Sequence, residues 1–275
     1  MFTFAKMHGL GNDFIVINAL TQPFSLTPKR IAELAHRYTG IGFDQLLIIE
    51  PPNRPDVDFS YRIFNGDGGE VEHCGNGARC FAHYLRLNDL HDFRKPVRVS
   101  VKRGRILIDY QGENELGESL YRVDMGVPQF SPQPDLRLQS ALAAGERDFG
   151  CVSMGNPHAV TWVDDCEDAP VESWGKALQS HDAFPERVNV GFMEKVNDER
   201  VRLRVFERGV GETLACGTGA CAAVATGIRQ KQLAERVSVT LRGGELIIEW
   251  QGEGYPLFMT GAAALVFYGQ IPDEC

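Results

Sequence analysis

The chain contains one stretch twice. The first copy runs from Arg62 to Ala78 and the second from Arg204 to Ala220, and the two align without a gap, 142 residues apart. The identical residues of the first copy are Arg62, Phe64, Gly69, Glu70, Cys74, Gly75, Gly77 and Ala78. Each copy combines a short apolar strand, a glycine-rich turn, a cysteine and an alanine-rich segment, which favours helix. The repeat therefore predicts a cysteine at the start of a helix in each half, where free N–H groups stabilise a thiolate or an anionic ligand.

Three further segments extend the repeat to most of the chain. Gly11-Asn12 recurs as Gly155-Asn156, Gln45 matches Asn189, and residues 97–112 match residues 237–252. Two copies of about 140 residues are too few and too long for a solenoid. They predict an α+β fold of two pseudo-symmetric lobes, each a mixed, mainly antiparallel sheet with two helices. We expect the active site in the cleft between the lobes.

Local signals place the individual helices and strands. Thr27-Pro28 is typical of a helix start and predicts a helix over residues 28–38, closed by Gly40 and Gly42. Further helices are expected from Cys74 to about Asn88, from Asp168-Ala169-Pro170 to about Ser180, and after Cys216. Strands are expected over residues 2–10, 14–17, 45–49, 59–65, 97–102, 106–111 and 160–163, with a turn at Arg103-Gly104. Residues 127–150 are interpreted as the connection between the lobes.

Composition narrows the class of protein. The formal net charge of −9 argues against non-specific binding to nucleic acid or to anionic membranes. No apolar stretch has the length of a membrane span, and the N-terminus lacks the layout of a signal peptide, so we expect a cytoplasmic protein. Seven irregularly spaced cysteines indicate reduced thiols rather than a disulfide scaffold.

Two thiols at two helix starts suit stereoinversion, provided that the lobes bring both to one carbon. A thiolate would take a proton from one face of the carbon, and a thiol would return a proton to the other face. Cysteine suits this role because its ordinary pKa of about 8.5 can be tuned close to working pH. The helix-end amides of Gly75-Asn76 and Gly217-Thr218 are candidates for binding a substrate carboxylate.

Other interpretations of the cysteines remain open. Each could be a small buried residue before a helix, since free cysteine is among the most buried residue types. A dithiol redox site is disfavoured, because there is no Cys-x-x-Cys and because Cys80 and Cys221 fall within the predicted helices. A metal site of His73, Cys74, Cys80 and His83 lacks a recognised zinc spacing. No P-loop or dinucleotide-binding glycine motif indicates a nucleotide.

Four segments, in order along the chain, resemble bacterial diaminopimelate epimerase. They are Met7–Phe14, His73–Cys80, Met154–His158 and Glu207–Ala220. The paired cysteine motifs alone are shared by the wider group of cofactor-independent racemases. Gly-Leu-Gly-Asn-Asp-Phe, Gly-Asn-Pro-His and Glu-Arg-Gly-x-Gly-Glu-Thr resemble the epimerase specifically. Gly66 and Thr218 replace residues that are common in the family, and Thr218 keeps the backbone donors.

The resemblance implies interconversion of LL- and meso-2,6-diaminopimelate, for lysine and peptidoglycan synthesis, without a cofactor or metal. It implies that Cys74 and Cys216 are the acid/base thiols and that His158 and Glu207 tune them. The implied substrate contacts are Asn12, Gln45, Asn65, Gly75, Asn76, Asn156, Asn189, Glu207, Arg208, Gly217 and Thr218. Arg208 matches Gly66 in the first copy, so it suits the distal carboxylate of the substrate. Glu207 suits the distal ammonium.

The resemblance also implies that the final strand completes the first lobe. The lobes then comprise residues 1–118 with 264–275, and residues 119–263, and a homodimer forms through Tyr268. Without the resemblance, the asparagines would be ordinary turn residues, His158 structural, and Tyr268 a strand aromatic. Alternative functions are a racemase of another amino acid and an inactive two-lobed protein that binds an amino acid.

Overall fold

The computed structural model describes residues 1–71, 74–102, 104–130, 136–138 and 147–272. The chain divides into two compact units, residues 1–124 with 260–275, and residues 125–259. The lobe boundaries predicted from the sequence fall after residues 118 and 263. The boundaries between the compact units fall after residues 124 and 259.

The first unit takes its helices and strands from both ends of the chain. In chain order these are β1 (Phe2–Gly9), β2 (Asn12–Asn18), α1 (Pro28–Ala35), β3 (Gln45–Glu50), β4 (Phe59–Asn65), β5 (Glu70–Val71), α2 (Gly75–Leu87), β6 (Val97–Val101), β7 (Gly104–Glu113) and β8 (Ser119–Asp124). Near the C-terminus, β18 (Phe258–Ala262) crosses the unit boundary and β19 (Ala264–Ile271) belongs to the first unit. The strand order is β19-β1-β2-β3-β4-β6-β7-β8, with β5 also paired to β4.

The central strands of the first unit are apolar without alternation, because both faces of the sheet are covered. On one face Ile15 and Leu46 pack in a core cluster with Ile31 and Leu34 of α1. On the other face α2 is buried over most of its length. A β-carbon at Gly77 of α2 would lie 3.2 Å from the Leu47 side chain, so the small residue lets this helix lie directly on the sheet.

The second unit repeats this arrangement. Its elements are β9 (Gln129–Phe130), β10 (Leu136–Leu138), β11 (Arg147–Ser153), β12 (Pro157–Val163), α3 (Val171–Gln179), β13 (Asn189–Asn197), β14 (Arg200–Glu207), β15 (Gly211–Thr213), α4 (Gly217–Arg229), β16 (Arg236–Leu241) and β17 (Gly244–Glu249). The strand order is β11-β12-β13-β14-β16-β17, with β15 also paired to β14 and β9 and β10 paired to β11.

The two units share one pattern of strand directions. β2–β3 and β4–β6 are parallel in the first unit, as are β12–β13 and β14–β16 in the second, and the other pairs are antiparallel. In the second unit α3 packs Trp174 and Leu178 against Phe192 of β13, and α4 is almost wholly buried. The predicted α+β fold, with two similar lobes and two helices in each, is confirmed.

Most predicted elements are present, and two predictions are wrong. The helices expected up to about Asn88 and Ser180 end at Leu87 and Gln179. The helix predicted over residues 28–38 ends at Ala35, because the chain turns back and Gly42 donates its N–H to the Leu34 carbonyl. A β-carbon at Gly40 would lie 2.4 Å from that carbonyl oxygen, so this turn requires glycine.

The predicted connection between the lobes, residues 127–150, belongs to the second compact unit and contains β9, β10 and the start of β11. Residues 131–135 and 139–146 of this segment lie outside the described residues. The Thr27 side chain accepts the Arg30 N–H at 3.2 Å, as the predicted helix start requires. Arg103, of the predicted turn, lies outside the described residues. Within the described part of the chain, no helix is both long and apolar enough to cross a membrane.

Candidate functional site

Cys74 occupies the residue immediately before α2, as the repeat predicts. Its backbone is extended, with φ −142° and ψ 116°, and its carbonyl accepts the first helical hydrogen bond, from Ala78 N–H at 2.9 Å. Its thiol is half-buried. The backbone N–H groups of a first helical turn, here those that begin at Gly75 and Asn76, favour negative charge close to them.

A row of polar side chains connects to the Cys74 thiol. Asn12 Oδ1 lies 3.9 Å from Cys74 Sγ and accepts a hydrogen bond from Asn76 Nδ2 at 3.2 Å. Asn76 Oδ1 in turn accepts from Arg79 Nη2 at 2.8 Å. At the other end, Asn12 Nδ2 donates to Asp44 Oδ2 at 2.9 Å. Asn12 and Asn76, both predicted substrate contacts, are therefore brought together beside Cys74.

Gln45 and Asn65, two other predicted contacts of the first half, also meet. They are directly opposite each other in the antiparallel pair β3–β4, and Gln45 Nε2 donates to Asn65 Oδ1 at 2.8 Å. Both side chains are partly exposed. The pairing register of the sheet therefore places these two amides side by side.

Cys216 occupies the equivalent residue before α4, and its surroundings differ. Its carbonyl accepts from Ala220 N–H at 3.0 Å, and the residue is only 4% exposed. The thiol donates to Glu207 Oε2 at 3.1 Å. Burial of the thiol, followed by the negative charge of Glu207 and this hydrogen bond, raises the pKa of Cys216 well above its usual value.

The Glu207 carboxylate is held on both oxygens. Oε2 faces Cys216, and Oε1 accepts from the Thr213 hydroxyl at 2.6 Å. β14 and β15 pair here, with Glu207 opposite Gly211, so the short hairpin fixes both Glu207 and Thr213. A carboxylate oriented in this way keeps an acceptor oxygen directed at the thiol.

His158 is buried and contacts the site through a neighbouring amide. Its Nε2 bonds Oδ1 of Asn156 at 3.0 Å, and Asn156 Nδ2 donates to the Thr218 hydroxyl at 3.3 Å. The Thr218 hydroxyl lies 3.7 Å from Cys216 Sγ. Burial, followed by the positive charge of Arg208, lowers the pKa of His158 to about 3, so the ring is neutral near pH 7.

Asn189 and Arg208 form a second contact in the second unit. Asn189 Oδ1 accepts from the Arg208 backbone N–H at 2.8 Å, and Asn189 Nδ2 donates to the Pro157 carbonyl at 3.1 Å. The Arg208 guanidinium is exposed and donates to the Glu186 carbonyl at 3.1 Å. Asn189 thereby fixes the backbone from which Arg208 projects.

The cysteines within the two central helices have different surroundings. Cys80 and Cys221 are fully buried within α2 and α4, and burial raises the pKa of Cys80. The described residues include no group of three His, Cys, Asp or Glu side chains placed to hold a metal ion. His73, part of the alternative metal interpretation, lies outside the described residues.

Sequence reasoning did not find Asp44, Arg79 or Thr213. Asp44 and Arg79 contact predicted site residues, and their positions in the second copy are occupied by Val188 and Cys221. The sequence signal for these two residues is a mismatch between the copies, in which a polar residue in one copy is matched to an apolar or small residue in the other. Thr213 carries the same signal, since it matches Val71 in the first copy, but its contact with Glu207 also depends on the turn between β14 and β15.

Tyr268, the predicted dimer residue, lies on β19. This strand pairs with β1, and Val266, Phe267 and Tyr268 are 46–55% exposed. The Tyr268 hydroxyl accepts from Asn88 Nδ2 at 3.4 Å. The structure therefore presents a run of three exposed apolar and aromatic side chains at this strand.

Solved structures with the same fold include a hydroxyproline epimerase and a phenazine biosynthesis protein. A hydroxyproline epimerase from Agrobacterium vitis superposes with a TM-score of 0.74 at 15% identity, covering 98% of this chain and 91% of that chain. A PhzF-family phenazine biosynthesis protein from Bacillus anthracis gives a TM-score of 0.73 at 17% identity, covering 98% and 99%. At such identities these likenesses show the fold alone.

Sequence comparison is more specific. The family model described as diaminopimelate epimerase matches residues 4–131 and 150–266. A curated relative from Chromobacterium violaceum, named diaminopimelate epimerase, is 55% identical over 276 residues, which cover 98% of each protein. The residues that the family model matches include Cys74 and Cys216. The chain that carries these two thiols at equivalent helix starts belongs to the diaminopimelate epimerase family.

Proposed function

We propose that the protein interconverts LL- and meso-2,6-diaminopimelate by moving the α-proton between the two faces of one carbon. The observation that carries the proposal is the family membership, together with a cysteine immediately before a central helix in each unit. The reaction is an isomerisation, so it requires no oxidant or reductant. The proposal assigns no cofactor, since both proton transfers use protein thiols.

The two thiols have complementary roles in the proposed reaction. The thiolate of one cysteine takes the α-proton, which leaves its bonding electrons on the carbon, and the thiol of the other cysteine returns a proton to the opposite face. The enzyme then holds the reverse protonation state and is ready for the reverse reaction. General acid–base catalysis of this kind contributes about 10²- to 10⁴-fold to the rate.

We assign to Glu207 the tuning of Cys216. A thiol with a raised pKa gives a thiolate that is a stronger base, and the α-proton of an amino acid is weakly acidic. The raised pKa of Cys216 and the 3.1 Å contact support this assignment. His158 is assigned an indirect role, because its neutral ring orients Asn156, which reaches the Thr218 hydroxyl.

We assign the reacting carboxylate to the helix starts. The amides of Gly75-Asn76 and Gly217-Thr218 belong to the first turns of α2 and α4, which favour an anion. Negative charge that develops on the carboxylate as the proton leaves would be stabilised by the same groups. The side-chain amides of Asn12, Gln45, Asn65, Asn156 and Asn189 are proposed to orient the substrate.

We assign recognition of the distal end to Arg208 and Glu207. The exposed Arg208 guanidinium suits the distal carboxylate, because it can bind both oxygens. Both oxygens of Glu207 already have partners, Thr213 and Cys216, so a contact with the distal ammonium would be shared with these two groups.

Proton NMR of LL-diaminopimelate with reduced enzyme in deuterated water, without added cofactor, tests the proposal. We expect loss of the α-proton signal together with appearance of the meso isomer. Absence of exchange with fresh reductant present would refute this substrate. Turnover of proline but not of diaminopimelate would identify a racemase of another amino acid instead.

We also propose that the protein is a cytoplasmic homodimer that associates through β19. Tyr268→Ala is expected to raise the dimer dissociation constant at least tenfold, measured by sedimentation equilibrium, because it removes an exposed aromatic ring from the strand. Tyr38→Ala is the matched control, since Tyr38 is 94% exposed and lies outside β19. Equal effects of the two substitutions would refute the proposed interface.

A further inference from the structure

The row of polar groups beside Cys74 ends in a carboxylate at one side and a guanidinium at the other. Asp44 Oδ2 accepts from Asn12 Nδ2, Asn12 Oδ1 accepts from Asn76 Nδ2, and Asn76 Oδ1 accepts from Arg79 Nη2. Arg79 is completely buried and Asn76 is 3% exposed. We call these four side chains the amide row.

The two ends of the amide row determine the orientation of both amides between them. An ionised carboxylate only accepts hydrogen bonds, and a guanidinium only donates them. Asp44 therefore selects the NH₂ group of Asn12, and Arg79 selects the oxygen of Asn76. Rotation of either amide by 180° would place donor against donor or acceptor against acceptor, so the chemistry of the ends fixes both orientations.

Asp44 is itself fixed by an ion-pair network. Its Oδ1 accepts from Arg37 Nη2 at 2.6 Å, and Arg37 also bonds both oxygens of Asp13 at 3.0 Å. Asp13 in turn pairs with Lys6 at 2.6 Å. Arg37 therefore holds Asp44 Oδ1, which leaves Oδ2 directed at Asn12 and at the Asp13 backbone N–H.

We propose that Asp44 and Arg79 are positioning residues that keep the Asn12 oxygen directed at the Cys74 sulfur. In this orientation Asn12 offers an acceptor to the S–H of a neutral thiol and no donor to a thiolate. Cys74 is thereby prepared to hold the proton that it delivers to the substrate. The orientation of the Asn12 amide is inferred from the geometry alone. Its effect on proton delivery by Cys74 rests on the proposed function.

Among its described residues, the second unit contains no equivalent of the amide row. Val188 and Cys221 occupy the positions that match Asp44 and Arg79. Asn156, the counterpart of Asn12, has its oxygen bonded to His158 and directs its NH₂ group at Thr218, two residues after Cys216. The matched asparagines thus have opposite orientations, which is consistent with a device specific to Cys74.

Asp44→Asn tests the proposal because Arg37 dictates how the introduced amide must lie. The guanidinium would bind the oxygen of that amide, so its NH₂ group would take the place of Oδ2 and face the Asn12 NH₂ group. Asn12 would lose its acceptor, and either of its orientations would then oppose two donors, at residue 44 or at Asn76, so N–H donors would face the sulfur in part of the molecules. We expect Cys74 to be alkylated by iodoacetamide at least threefold faster at pH 7, measured by mass spectrometry of its peptide, because donors stabilise the reactive thiolate.

Asp58→Asn is the matched control. Asp58 also accepts from a backbone N–H and from a guanidinium, both of Arg98, and it belongs to the same unit. No side-chain amide depends on it among its described contacts. Alkylation of Cys74 in this variant should remain within 1.5-fold of wild type. The buried Cys80 and Cys221 report on folding, and they should stay unmodified in both variants.

A measurement on the unaltered protein covers the case in which Asp44→Asn fails to fold. Asn12 Nδ2 and Asp13 N donate to the same Asp44 oxygen, so a nuclear Overhauser contact between their protons is expected. A contact from the Asn12 NH₂ protons to the Cys74 β-protons would overturn the proposed orientation, as would equal alkylation rates in folded Asp44→Asn and Asp58→Asn.

Catalysis separates this inference from the proposed function. With diaminopimelate, Asp44→Asn should lower kcat about tenfold and change KM less than threefold, because Asp44 acts through Asn12. An unchanged kcat with faster alkylation would overturn the catalytic part. If wild-type protein does not turn over diaminopimelate, the proposed function fails, and the alkylation and Overhauser measurements still decide the orientation.

Discussion

Cys74 and Cys216 precede equivalent helices, but the two sulfur atoms have different neighbours. Cys216 is 4% exposed and donates to a carboxylate, whereas Cys74 is half-buried and faces the amide oxygen of Asn12. Asn65 occupies the position of Glu207 in the first copy, and Phe14 occupies that of His158. The duplication has thus kept the backbone that places each thiol and has changed the charges around it.

This difference indicates how one pair of identical side chains can have two roles. Negative charge beside Cys216 raises its pKa and makes its thiolate a stronger base. The neutral amide of Asn12 can accept a hydrogen bond from the Cys74 S–H group, and it places no charge beside the sulfur. Four predictions, in order of decreasing effect, test this contrast and two further comparisons between the units.

Removal of either sulfur should have the largest effect. Cys74→Ala and Cys216→Ala should each lower kcat/KM for epimerisation about 10³-fold, because in each variant one face of the carbon lacks its acid or base. Polarimetric or NMR assays of both reaction directions measure this. Cys151→Ala, at a half-buried cysteine elsewhere in the second unit, should retain activity within twofold. Epimerisation at close to the wild-type rate by either variant would contradict a mechanism that requires both thiols.

Glu207→Gln should have the next largest effect and should act on one thiol only. Loss of the negative charge lowers the pKa of Cys216, so its thiolate becomes a weaker base, and kcat should fall about 10- to 100-fold. At pH 7 alkylation of Cys216 should become faster, since more thiolate is present, while alkylation of Cys74 should not change. Slower alkylation of Cys216 would contradict the sign of the Glu207 effect.

Asn65→Ala, at the matching position of the first copy, is the paired control for this prediction. Asn65 contacts Gln45 and carries no charge, so its removal should leave the alkylation rate of Cys74 within twofold. A large change there would mean that the matched positions tune both thiols alike.

Acid stability should depend on one buried histidine in each unit. Burial, followed by the charge of Arg86, lowers the pKa of His83 to about 4, and that of His158 is about 3. The unfolded chain binds these protons near pH 6.5, so each histidine reduces the stability of the fold as pH falls below that value. From pH 8 to pH 5 the loss is about 2 kcal/mol for each residue.

His83→Gln and His158→Gln should each remove that share of the pH dependence. Unfolding in urea at pH 8 and pH 5 measures the difference, and the pH 8 values account for the direct cost of each substitution. A variant that loses as much stability between these pH values as wild type would show that its histidine is protonated in the folded state.

The smallest expected effect compares two ion pairs that the repeat conserves. Arg204 binds both oxygens of Glu212 at 2.7 and 2.9 Å, and Arg62 binds Glu70 at 3.0 and 3.3 Å. The Arg62 pair is more exposed and more screened by solvent. Glu212→Gln should destabilise the protein by about 1 kcal/mol in chemical unfolding and Glu70→Gln by less. The reverse order would show that exposure does not govern these pairs.

The sequence predicted the features that the repeat carries and missed those that depend on packing. Aligned copies placed both cysteines before helices, and the same strand order followed in each half. The end of α1 at Ala35 was missed, because it depends on the return of Gly40 and Gly42 onto the helix carbonyls. Strands within residues 127–150 were missed, because the prolines and polar residues of this segment indicated a connection, although β11 pairs with β12 as β1 pairs with β2.

In the candidate site, too, the repeat predicted the positions of the cysteines but not the contacts that depend on packing. Glu207 and Cys216 are nine residues apart, yet only the turn over residues 208–210, between β14 and β15, brings the carboxylate to the thiol. Asp44 and Arg79 are 35 residues apart and are connected through the side-chain amides of Asn12 and Asn76. No local sequence pattern predicts such a long-range arrangement. Positions at which the two copies differ were the most informative signal for these residues.

The pairing of β19 with β1 has a consequence for synthesis of the protein on the ribosome. The strand that covers the outer edge of β1 is residues 264–271, so this edge stays open while the whole of residues 125–259 is translated. The second unit is therefore complete before the first, although it is encoded later. An uncovered edge strand can pair with other chains, so the nascent first half is the stage at which aggregation is most favoured.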